Sequence, residues 1–260
     1  MIRQHALPFF KPLFFSLVFG LAAVGPAWSK ETKQTLAVAV GWHKPPYVIG
    51  EVDSGFELEL VKHLFKNSPY SVEFISVPFG RTPYMLNEQK ADIGLTLNEF
   101  HDVDPSWLTE PYVVYQNAVM SLESRQYELT SLSDLRAYSV VAFQSAETVL
   151  GPEYAAIVKG REDYIELPDQ HSQVILFLRG SVQLAVMDIN IFHFLQRNLP
   201  GSFATIPVDM HHLFPKNPYS AGIPDATVRE FFNQQLAIAI EDGNYQRLLD
   251  EFGIVDLLNN

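Results

Sequence analysis

Short apolar runs recur along the chain at lengths typical of strands in a parallel sheet. Residues 36–40 (LAVAV) form the first such run, and Gly41 closes it. A continuous apolar run of this length is typical of a strand that is buried on both faces. Four further strands are predicted, at 72–77 (VEFISV), 93–97 (IGLTL), 135–143 with its apolar centre at 140–143, and 182–187 (VQLAVM).

Apolar residues at helical spacing separate the first strands. After Asp53 or Ser54, either of which can cap a helix, apolar side chains recur every three to four positions as far as Lys66. Residues 82–83 (TP) supply an N-cap followed by a first-turn proline, which predicts a short helix that ends near Glu88.

The second half of the chain carries the same kinds of signal. Ser172 is predicted to cap a helix that runs through Leu178. A long helical segment is predicted from Asp225, with a break at Gly243. Further strand candidates are 203–208 and 212–214.

Two segments share one pattern of helix end, tight turn, buried strand and polar strand tip. They are 86–97 (LNEQKADIGLTL) and 178–188 (LRGSVQLAVMD). Units of this β-α-β kind place parallel strands side by side and leave ligand crevices at their carboxyl ends. The repetition therefore predicts two similar α/β lobes.

The amino-terminal segment has the order of an export signal. Arg3 and Lys11 precede an apolar run at 13–24, and small residues follow it. That run is about a dozen residues long, whereas a membrane-spanning helix needs about 20. A cleaved signal peptide is therefore predicted at 1–29. Cleavage after Ala27 and cleavage after Ser29 both satisfy the preference for small residues.

Charge and cysteine content exclude several classes of protein. The formal net charge is −12 and phosphate binding needs a basic surface, so no nucleic-acid partner is predicted. The absence of cysteine excludes lipoprotein anchoring, disulfides, zinc–thiolate sites and thiol catalysis. His211 and His212 would point to opposite faces of a strand, so neither a metal nor another cofactor is predicted.

The order of several short motifs resembles the family-3 bacterial extracellular solute-binding proteins, the periplasmic receptors of polar amino-acid importers. The resemblance covers nearly all of the chain after the predicted signal. The motifs that carry it are Gly41 with 45–47 (PPY), 55–57 (GFE), 90–94 (KADIG), 109–112 (TEPY), 131–135 (SLSDL) and 241–245 (EDGNY).

The resemblance implies a fold and a division into lobes. The fold is a two-lobed α/β periplasmic-binding-protein fold of type II, in which each lobe has a mainly parallel sheet flanked by helices. Two crossing hinge segments, near 115–121 and 206–212, join the lobes. The first lobe would comprise 30–117 and 211–260, and the second 118–210. Family members bind ligand in the cleft and close on it by a hinge.

The resemblance also places ligand contacts at the ends of predicted strands. Tyr47, whose loop two prolines stiffen, would form an aromatic wall of the ligand slot, or else pack on its own lobe. Thr96 would offer its hydroxyl to a ligand carboxylate, and Asn98 would extend that polar rim. Asp188 would receive the amino group of the ligand, or else serve the structure of the strand end.

A second group of candidates concerns anion binding. Gln144 and Ser145 precede a predicted helix whose backbone amides are suited to an anion. His101 stands where amino-acid receptors of the family carry an arginine that pairs with the α-carboxylate. Histidine is only partly charged near neutral pH and cannot make the bidentate contact. Either Arg81 replaces that anchor, or it lies at the surface, or the ligand lacks an α-carboxylate.

Three functions follow from this pattern. The preferred one is a monomeric periplasmic binding protein, without a membrane anchor after signal cleavage. It would bind a small amino-acid-like molecule, carboxylate or amine, and serve an inner-membrane ABC permease or act as a free-standing receptor. The second is a sensor module for a membrane partner. The third is a cyclohexadienyl-dehydratase-like enzyme using Glu57, His101 and Asp188, but nothing in the sequence shows that these residues converge.

Overall fold

A computed structural model of the chain describes residue 1 and residues 33–50, 54–78 and 80–258. The predicted signal peptide, both of its cleavage positions and the candidate cap Asp53 lie outside the part that is described. In that part, no helix combines the length and the apolar character that crossing a membrane requires.

Strands and helices alternate through the described residues. The strands are β1 (Gln34–Gly41), β2 (Tyr70–Val77), β3 (Ile93–Leu97), β4 (Val113–Leu122), β5 (Val140–Phe143), β6 (Tyr164–Leu167), β7 (Leu184–Asp188), β8 (Val208–His211) and β9 (Lys216–Gly222). The α-helices are α1 (Phe56–Phe65), α2 (Thr82–Asn87), α3 (Ala146–Val149), α4 (Pro152–Val158), α5 (Gln170–Leu178), α6 (Ile189–Arg197), α7 (Ala226–Glu241) and α8 (Asn244–Phe252). Short 3-10 helices occupy Pro105–Trp107, Glu123–Arg125, Leu132–Ala137 and Gly201–Thr205.

The strands form two parallel groups that antiparallel strands connect. In the first group β1 lies between β2 and β3, and in the second β5 lies between β6 and β7. The whole order is β2-β1-β3-β9-β4-β7-β5-β6, with β8 also paired to β4. The first residues of β4 pair with β9, and its later residues pair with β7 and β8. Strand β4 therefore takes part in both halves of the sheet.

Aromatic packing fixes helix α1 against the two carboxyl-terminal helices. Phe56 at the start of α1 meets Tyr245 of α8 edge to face at 5.5 Å between ring centroids. Phe65 at the other end lies 5.4 Å from Phe231 of α7. Phe56 is fully buried, and burying one such side chain stabilises the fold by about 1.5–3 kcal/mol. This packing sets the position of the amino-terminal turn of α1, where Glu57 lies.

Most of the predicted elements are confirmed. Strand β3 has the predicted bounds, β1, β2 and β5 contain the predicted apolar runs, and β7 begins at Leu184, two residues after the predicted start of its run. The carboxyl-terminal helices also follow the prediction. Asp225 caps α7 by accepting from the amides of Thr227 and Val228, and Gly243 separates α7 from α8.

Several boundaries were wrong, and at two of them polar side chains bond the backbone locally. The residues before β5 form a 3-10 helix in which Ser131 and Asp134 make a capping box. Asp169, not Ser172, caps α5, since its carboxylate accepts from the amides of residues 171 and 172. Gly55, not Ser54, is the N-cap of α1.

The region between residues 200 and 223 departs furthest from prediction. Residues 203–205, predicted as part of a strand at 203–208, belong to a 3-10 helix at 201–205, and the strand there is β8. Residues 212–214 are not in a strand, and β9 begins at Lys216 instead. Strand β9 was missed because Pro218 lies within it and argues against a strand. The proline is accommodated because β9 has only one neighbour at this point: Pro218 lies opposite Val114 of β4, and the pairing with β3 involves Ser220 and Gly222.

Candidate functional site

Polar side chains converge where the carboxyl ends of β1, β3 and β7 reach strand β4. We call them the central cluster. Its members come from the loop after β1, the first turn of α1, the end of β3, the start of β4, the end of β7 and the start of α6. They are Lys44, Tyr47, Glu57, Thr96, Tyr112, Tyr115, Asp188 and Asn190.

Glu57 is the acceptor at the centre of this cluster. Its carboxylate is fully buried and accepts four hydrogen bonds. Oε2 accepts from the hydroxyls of Tyr112 and Thr96, at 2.5 and 2.7 Å. Oε1 accepts from the hydroxyl of Tyr115 and from Lys44 Nζ, both at 2.7 Å. Burial alone would raise the pKa of Glu57, but the charge and hydrogen bond of Lys44, helped by the phenols, outweigh it and lower the pKa. The carboxylate is therefore ionised at neutral pH.

Lys44 supplies the cation that pairs with Glu57. Its Nζ lies 2.7 Å from Glu57 Oε1, 2.7 Å from Thr96 Oγ1 and 2.8 Å from the Tyr115 hydroxyl. It also lies 5.1 Å from the centroid of the Tyr115 ring. These three oxygens accept all three N–H bonds of the ammonium group. The lysine side chain remains 20% exposed, although Glu57 is not exposed at all.

The backbone at Thr96 is strained in a way that serves the cluster. Thr96 is β-branched, yet its φ is +60°, in the left-handed region. The Tyr112 hydroxyl accepts from the Thr96 amide at 3.0 Å and holds this conformation. Strain of this kind is found preferentially at functional sites. In this conformation the Thr96 hydroxyl donates to Glu57 and accepts from Lys44.

Tyr47 connects the Glu57 side of the cluster to β7 and α6. Its ring stacks on that of Tyr115, with centroids 4.0 Å apart and planes inclined by 15°. Its hydroxyl donates to Asp188 Oδ1 at 3.2 Å and accepts from the side-chain amide of Asn190 at 3.0 Å. Because Tyr47 and Asn190 are both fully buried, these bonds are shielded from water.

Asp188 has a structural function in addition to its contact with Tyr47. Oδ1 accepts from the amides of Asn190 and Ile191 and so caps α6, and Oδ2 accepts from the amide of Gln116 in β4. Burial raises the pKa of Asp188 to about 6, although these hydrogen bonds oppose the shift. The carboxylate therefore joins the end of β7 to the middle of β4.

Asn98 and His101 form a small rim just beyond Thr96. His101 Nδ1 lies 2.7 Å from Asn98 Oδ1, and the His101 ring meets Tyr219 at 6.2 Å between centroids. Partial burial lowers the pKa of His101. The imidazole is therefore mainly uncharged at neutral pH and does not replace an arginine.

The remaining predicted residues lie in other surroundings. Arg81 is exposed, and its guanidinium stacks on the ring of Tyr84 at 4.0 Å. Gln144 is exposed as well. The amide of Ser145 donates to the carboxylate of Glu166 at 2.6 Å. An internal carboxylate thus occupies the backbone position that the sequence suggested for an anion.

Sequence reasoning found part of the cluster and missed its charged centre. Tyr47, Thr96 and Asp188 were predicted as ligand contacts. The sequence indicates Glu57 only as a candidate acid and gives no signal for Lys44. One signal was present, since Glu57 precedes Val61 and Leu64 at helical spacing and therefore lies on the buried face of α1. A buried carboxylate needs a cationic partner or hydrogen-bond donors, which is a reason to search for a nearby lysine.

Gly55 allows the loop of Tyr47 to meet the first turn of α1. Its φ is +113°, and a Cβ at this position would lie 2.5 Å from the carbonyl oxygen of Tyr47. We expect Gly55→Ala to lower the free energy of unfolding by about 2–3 kcal/mol, from strain and from overlap with backbone. Chemical denaturation measures this. Gly160→Ala is the control, because Gly160 also has a positive φ but nothing within 4 Å. Equal losses in both variants would contradict the close approach.

The described residues do not contain a group of three or more histidine, aspartate or glutamate side chains placed to hold a metal ion. Of the adjacent histidines His211 and His212, His211 forms a hydrogen bond with Ser121, with Nε2 and Oγ 3.0 Å apart.

Solved structures share this architecture at low sequence identity. The GluR0 ligand-binding core in complex with L-glutamate matches with a TM-score of 0.67 and 13% identity, over 85% of this chain and 99% of its own. A histidine kinase sensor domain similar to periplasmic binding proteins matches at 0.64 and 18%, over 86% and 97%. An ancestral arginine-binding protein bound to arginine matches at 0.62 and 19%, over 85% and 99%.

No family model matches the sequence, and no curated protein matches it. At these identities the structural matches establish the fold. The chain has the α/β fold of the type II periplasmic binding proteins.

Proposed function

We propose that this protein is a periplasmic solute-binding protein that closes on a small polar ligand at the central cluster. The observation that carries the proposal is the meeting of the two parallel strand groups at a buried, charged site. Thr96 and Glu57 belong to the β1–β3 side, Asp188 belongs to the β7 side, and Tyr47 contacts both through Tyr115 and Asp188. A ligand there would contact both sides at once, which is how hinge closure is coupled to binding.

The proposed lobes are 30–117 with 211–260, and 118–210. Pairing of β4 with β9 at one end and with β7 and β8 at the other supports a crossing along β4. The return crossing would follow from β8 to β9. We also propose export to the periplasm, a monomeric state and an inner-membrane ABC permease as partner.

Binding is proposed instead of catalysis because both acids of the cluster are saturated with donors. Glu57 accepts four hydrogen bonds, and Asp188 accepts four as well. A general acid or base must have an open position within hydrogen-bond reach of its substrate. His101, the third catalytic candidate, is engaged with Asn98.

A sensor module for a membrane partner is the second proposed function. The structural similarity to a histidine kinase sensor domain favours it. Both functions require the same ligand-induced closure, so the ligand experiment below applies to each. A permease or a kinase that co-purifies with the ligand-bound chain would distinguish them.

Thermal-shift screening of the purified chain against L-amino acids, small amines and small carboxylates tests the proposal. A ligand that binds the native state raises the melting temperature. At a hundredfold excess over Kd it adds about 2.7 kcal/mol to the free energy of unfolding. We expect at least one of these classes to give such a shift, and the ligand to be recovered unmodified after hours. Conversion of the ligand would support an enzyme instead, and no shift with any class would contradict the proposal.

Thr96→Val removes the hydroxyl and keeps the shape of the side chain. We expect it to weaken binding of the ligand found in the screen about tenfold, the value of one hydrogen bond. Isothermal titration calorimetry measures the affinity. Thr35→Val is the matched control, because Thr35 lies on β1 and its hydroxyl meets Ser71 at 3.0 Å. An unchanged Kd in Thr96→Val, with both variants folded, would remove Thr96 from the site.

A further inference from the structure

The geometry around Lys44 points to a ligand class. We propose that Glu57, Thr96 and Tyr115 form an ammonium site, that Lys44 is its built-in occupant, and that the protein binds small organic amines whose ammonium group displaces Lys44. This inference rests on the proposed binding function and names the ligand of the same site.

The hydroxyl groups of the site are oriented for a cation. The Thr96 hydroxyl donates its hydrogen to Glu57 Oε2, and the Tyr115 hydroxyl donates its hydrogen to Glu57 Oε1. Both hydroxyl oxygens therefore present lone pairs to the position of Lys44 Nζ. With the carboxylate, they form three acceptors within 2.8 Å of that position. A carboxylate placed there would meet only acceptors and the negative charge of Glu57, so an anion is disfavoured.

Aromatic rings line one side of the site. The Nζ position lies 2.8 Å from the Tyr115 hydroxyl and 5.1 Å from the centroid of its ring, so the ammonium lies at the hydroxyl edge of that ring. Tyr47 stacks on the Tyr115 ring with centroids 4.0 Å apart, and Tyr219 meets the same ring edge to face at 5.2 Å.

The cationic side chains that would bind a ligand carboxylate are engaged elsewhere. Arg81 stacks on Tyr84 at the surface, and Lys44 is bound to Glu57. The Ser145 amide already donates to the Glu166 carboxylate. His101, held by Asn98, is mainly uncharged at neutral pH because burial lowers its pKa. The site therefore favours an amine over an acid.

Lys44 is the movable member of this arrangement. The three acceptors belong to regular elements, since Glu57 lies in the first turn of α1, Thr96 in β3 and Tyr115 in β4. Lys44 lies in the loop after β1, on a flexible four-carbon chain, and its side chain is 20% exposed. It can therefore leave toward solvent while a ligand ammonium takes over its three hydrogen bonds. Glu57 would remain paired throughout.

A built-in competitor lowers the apparent affinity for the ligand. If Lys44 leaves the site vacant about one tenth of the time, the apparent Kd is about ten times the intrinsic value. Removing the ammonium of Lys44 should therefore strengthen amine binding. A lysine that anchors a ligand carboxylate gives the opposite result, since its removal would weaken binding.

Calorimetric titration of the full chain with n-butylammonium and with butyrate, at constant ionic strength, tests the inference. Butylammonium reproduces the side chain of lysine, and butyrate is the matched anion. We expect the wild type to bind butylammonium and Lys44→Met to bind it about tenfold more tightly. Neither protein should bind butyrate. Lys62→Met, which removes the lysine of a partly exposed pair with Glu59, is the control and should behave as the wild type.

Two results would overturn the inference and leave the proposed function intact. One is butyrate binding by the wild type that Lys44→Met loses, which would make Lys44 an anion anchor. The other is butylammonium binding by Lys44→Met alone, with none by the wild type at about a thousandfold higher concentration. Lys44 would then be a structural partner of Glu57. Absence of any ligand in the broader screen, by contrast, would reject the binding function itself.

Tyr115→Phe tests the site if Lys44→Met does not fold. It keeps the ring that stacks on Tyr47 and removes one of the three acceptors. Because Lys44 loses the same acceptor, a site that is vacant about one tenth of the time becomes vacant about half of the time, so the affinity of the otherwise wild-type chain for butylammonium should fall about twofold and not the tenfold that one hydrogen bond is worth. Unchanged affinity in a folded Tyr115→Phe protein would contradict the ammonium site.

Discussion

Glu57→Ala is expected to lower the free energy of unfolding by about 3–5 kcal/mol. The carboxylate is fully buried and accepts from four donors, so its loss leaves Lys44 without its counter-charge. The hydroxyls of Tyr112 and Tyr115 lose their acceptor as well. Lys44 can turn toward solvent, but the phenols cannot, and an unsatisfied buried donor costs about 1–3 kcal/mol, far more than a lost surface contact. Urea denaturation at neutral pH measures the loss.

Glu59→Ala is the matched control, two residues further along the same helix. Glu59 pairs with Lys62 at 2.8 Å, with both side chains partly exposed, and such a pair contributes less than about 1 kcal/mol. A Lys44→Met/Glu57→Leu double variant should recover much of the stability, because a buried ion pair can be replaced by apolar residues at little cost. If Glu57→Ala lost no more stability than Glu59→Ala, the central position of Glu57 would be refuted.

The same comparison explains why the cluster indicates function. A buried ion pair is weak evidence for stability, because removing two charges from water costs about as much as their attraction returns. Apolar residues in place of Lys44 and Glu57 would hold the loop after β1 against α1 equally well. A protein that keeps charges at the place where its two strand groups meet gains a charged, water-shielded surface for a ligand. The cluster therefore supports the proposed binding function.

Local sequence signals predicted the elements well where one segment decides its own conformation. The bounds of β3 follow from five consecutive residues between a turn and a polar tip. The start of α7 follows from Asp225, whose side chain bonds the next two free amides. Strand β9 and the 3-10 helix at 201–205 were not predictable in this way. Their conformations depend on partners distant in the sequence, such as β3 and β4 for β9.

The candidate site likewise contains residues that the sequence predicted and residues whose contacts depend on distant segments. Tyr47, Thr96 and Asp188 were predicted because the family resemblance places ligand contacts at the ends of strands, and strand ends meet at one edge. The pair of Lys44 and Glu57 depends on a loop folding back over a helix start. That approach needs Gly55, whose positive φ lets the amides of Phe56 and Glu57 donate to the carbonyls of Pro46 and Tyr47. Arg81 could not be placed from sequence, since its packing on Tyr84 is a choice of side-chain conformation.

The stability of the wild type should depend on pH through Asp188. Burial raises the pKa of this carboxyl to about 6 in the folded chain, from an ordinary value of 3.8. An acid with a raised folded pKa destabilises the folded state when it is ionised, and the penalty is relieved as the pH falls through the folded pKa toward the unfolded pKa. A shift of about two units corresponds to about 3 kcal/mol. The wild type should therefore gain stability between about pH 6.5 and pH 4 from this group.

Comparison with Asp188→Asn isolates this effect, because asparagine does not titrate. Tyr47 contacts Asp188 and Glu57 titrates in both proteins, and the lowered pKa of Glu57 affects the stability of both alike, toward the acid end of the range. We expect the wild type to become more stable relative to Asp188→Asn by about 3 kcal/mol as the pH falls from 7 to 4. Urea denaturation of both proteins across this range measures the difference. A difference that is constant, or that changes in favour of Asp188→Asn at low pH, would show that the carboxylate is held ionised by its four hydrogen bonds. The junction of β7 with β4 would then be a permanently charged contact.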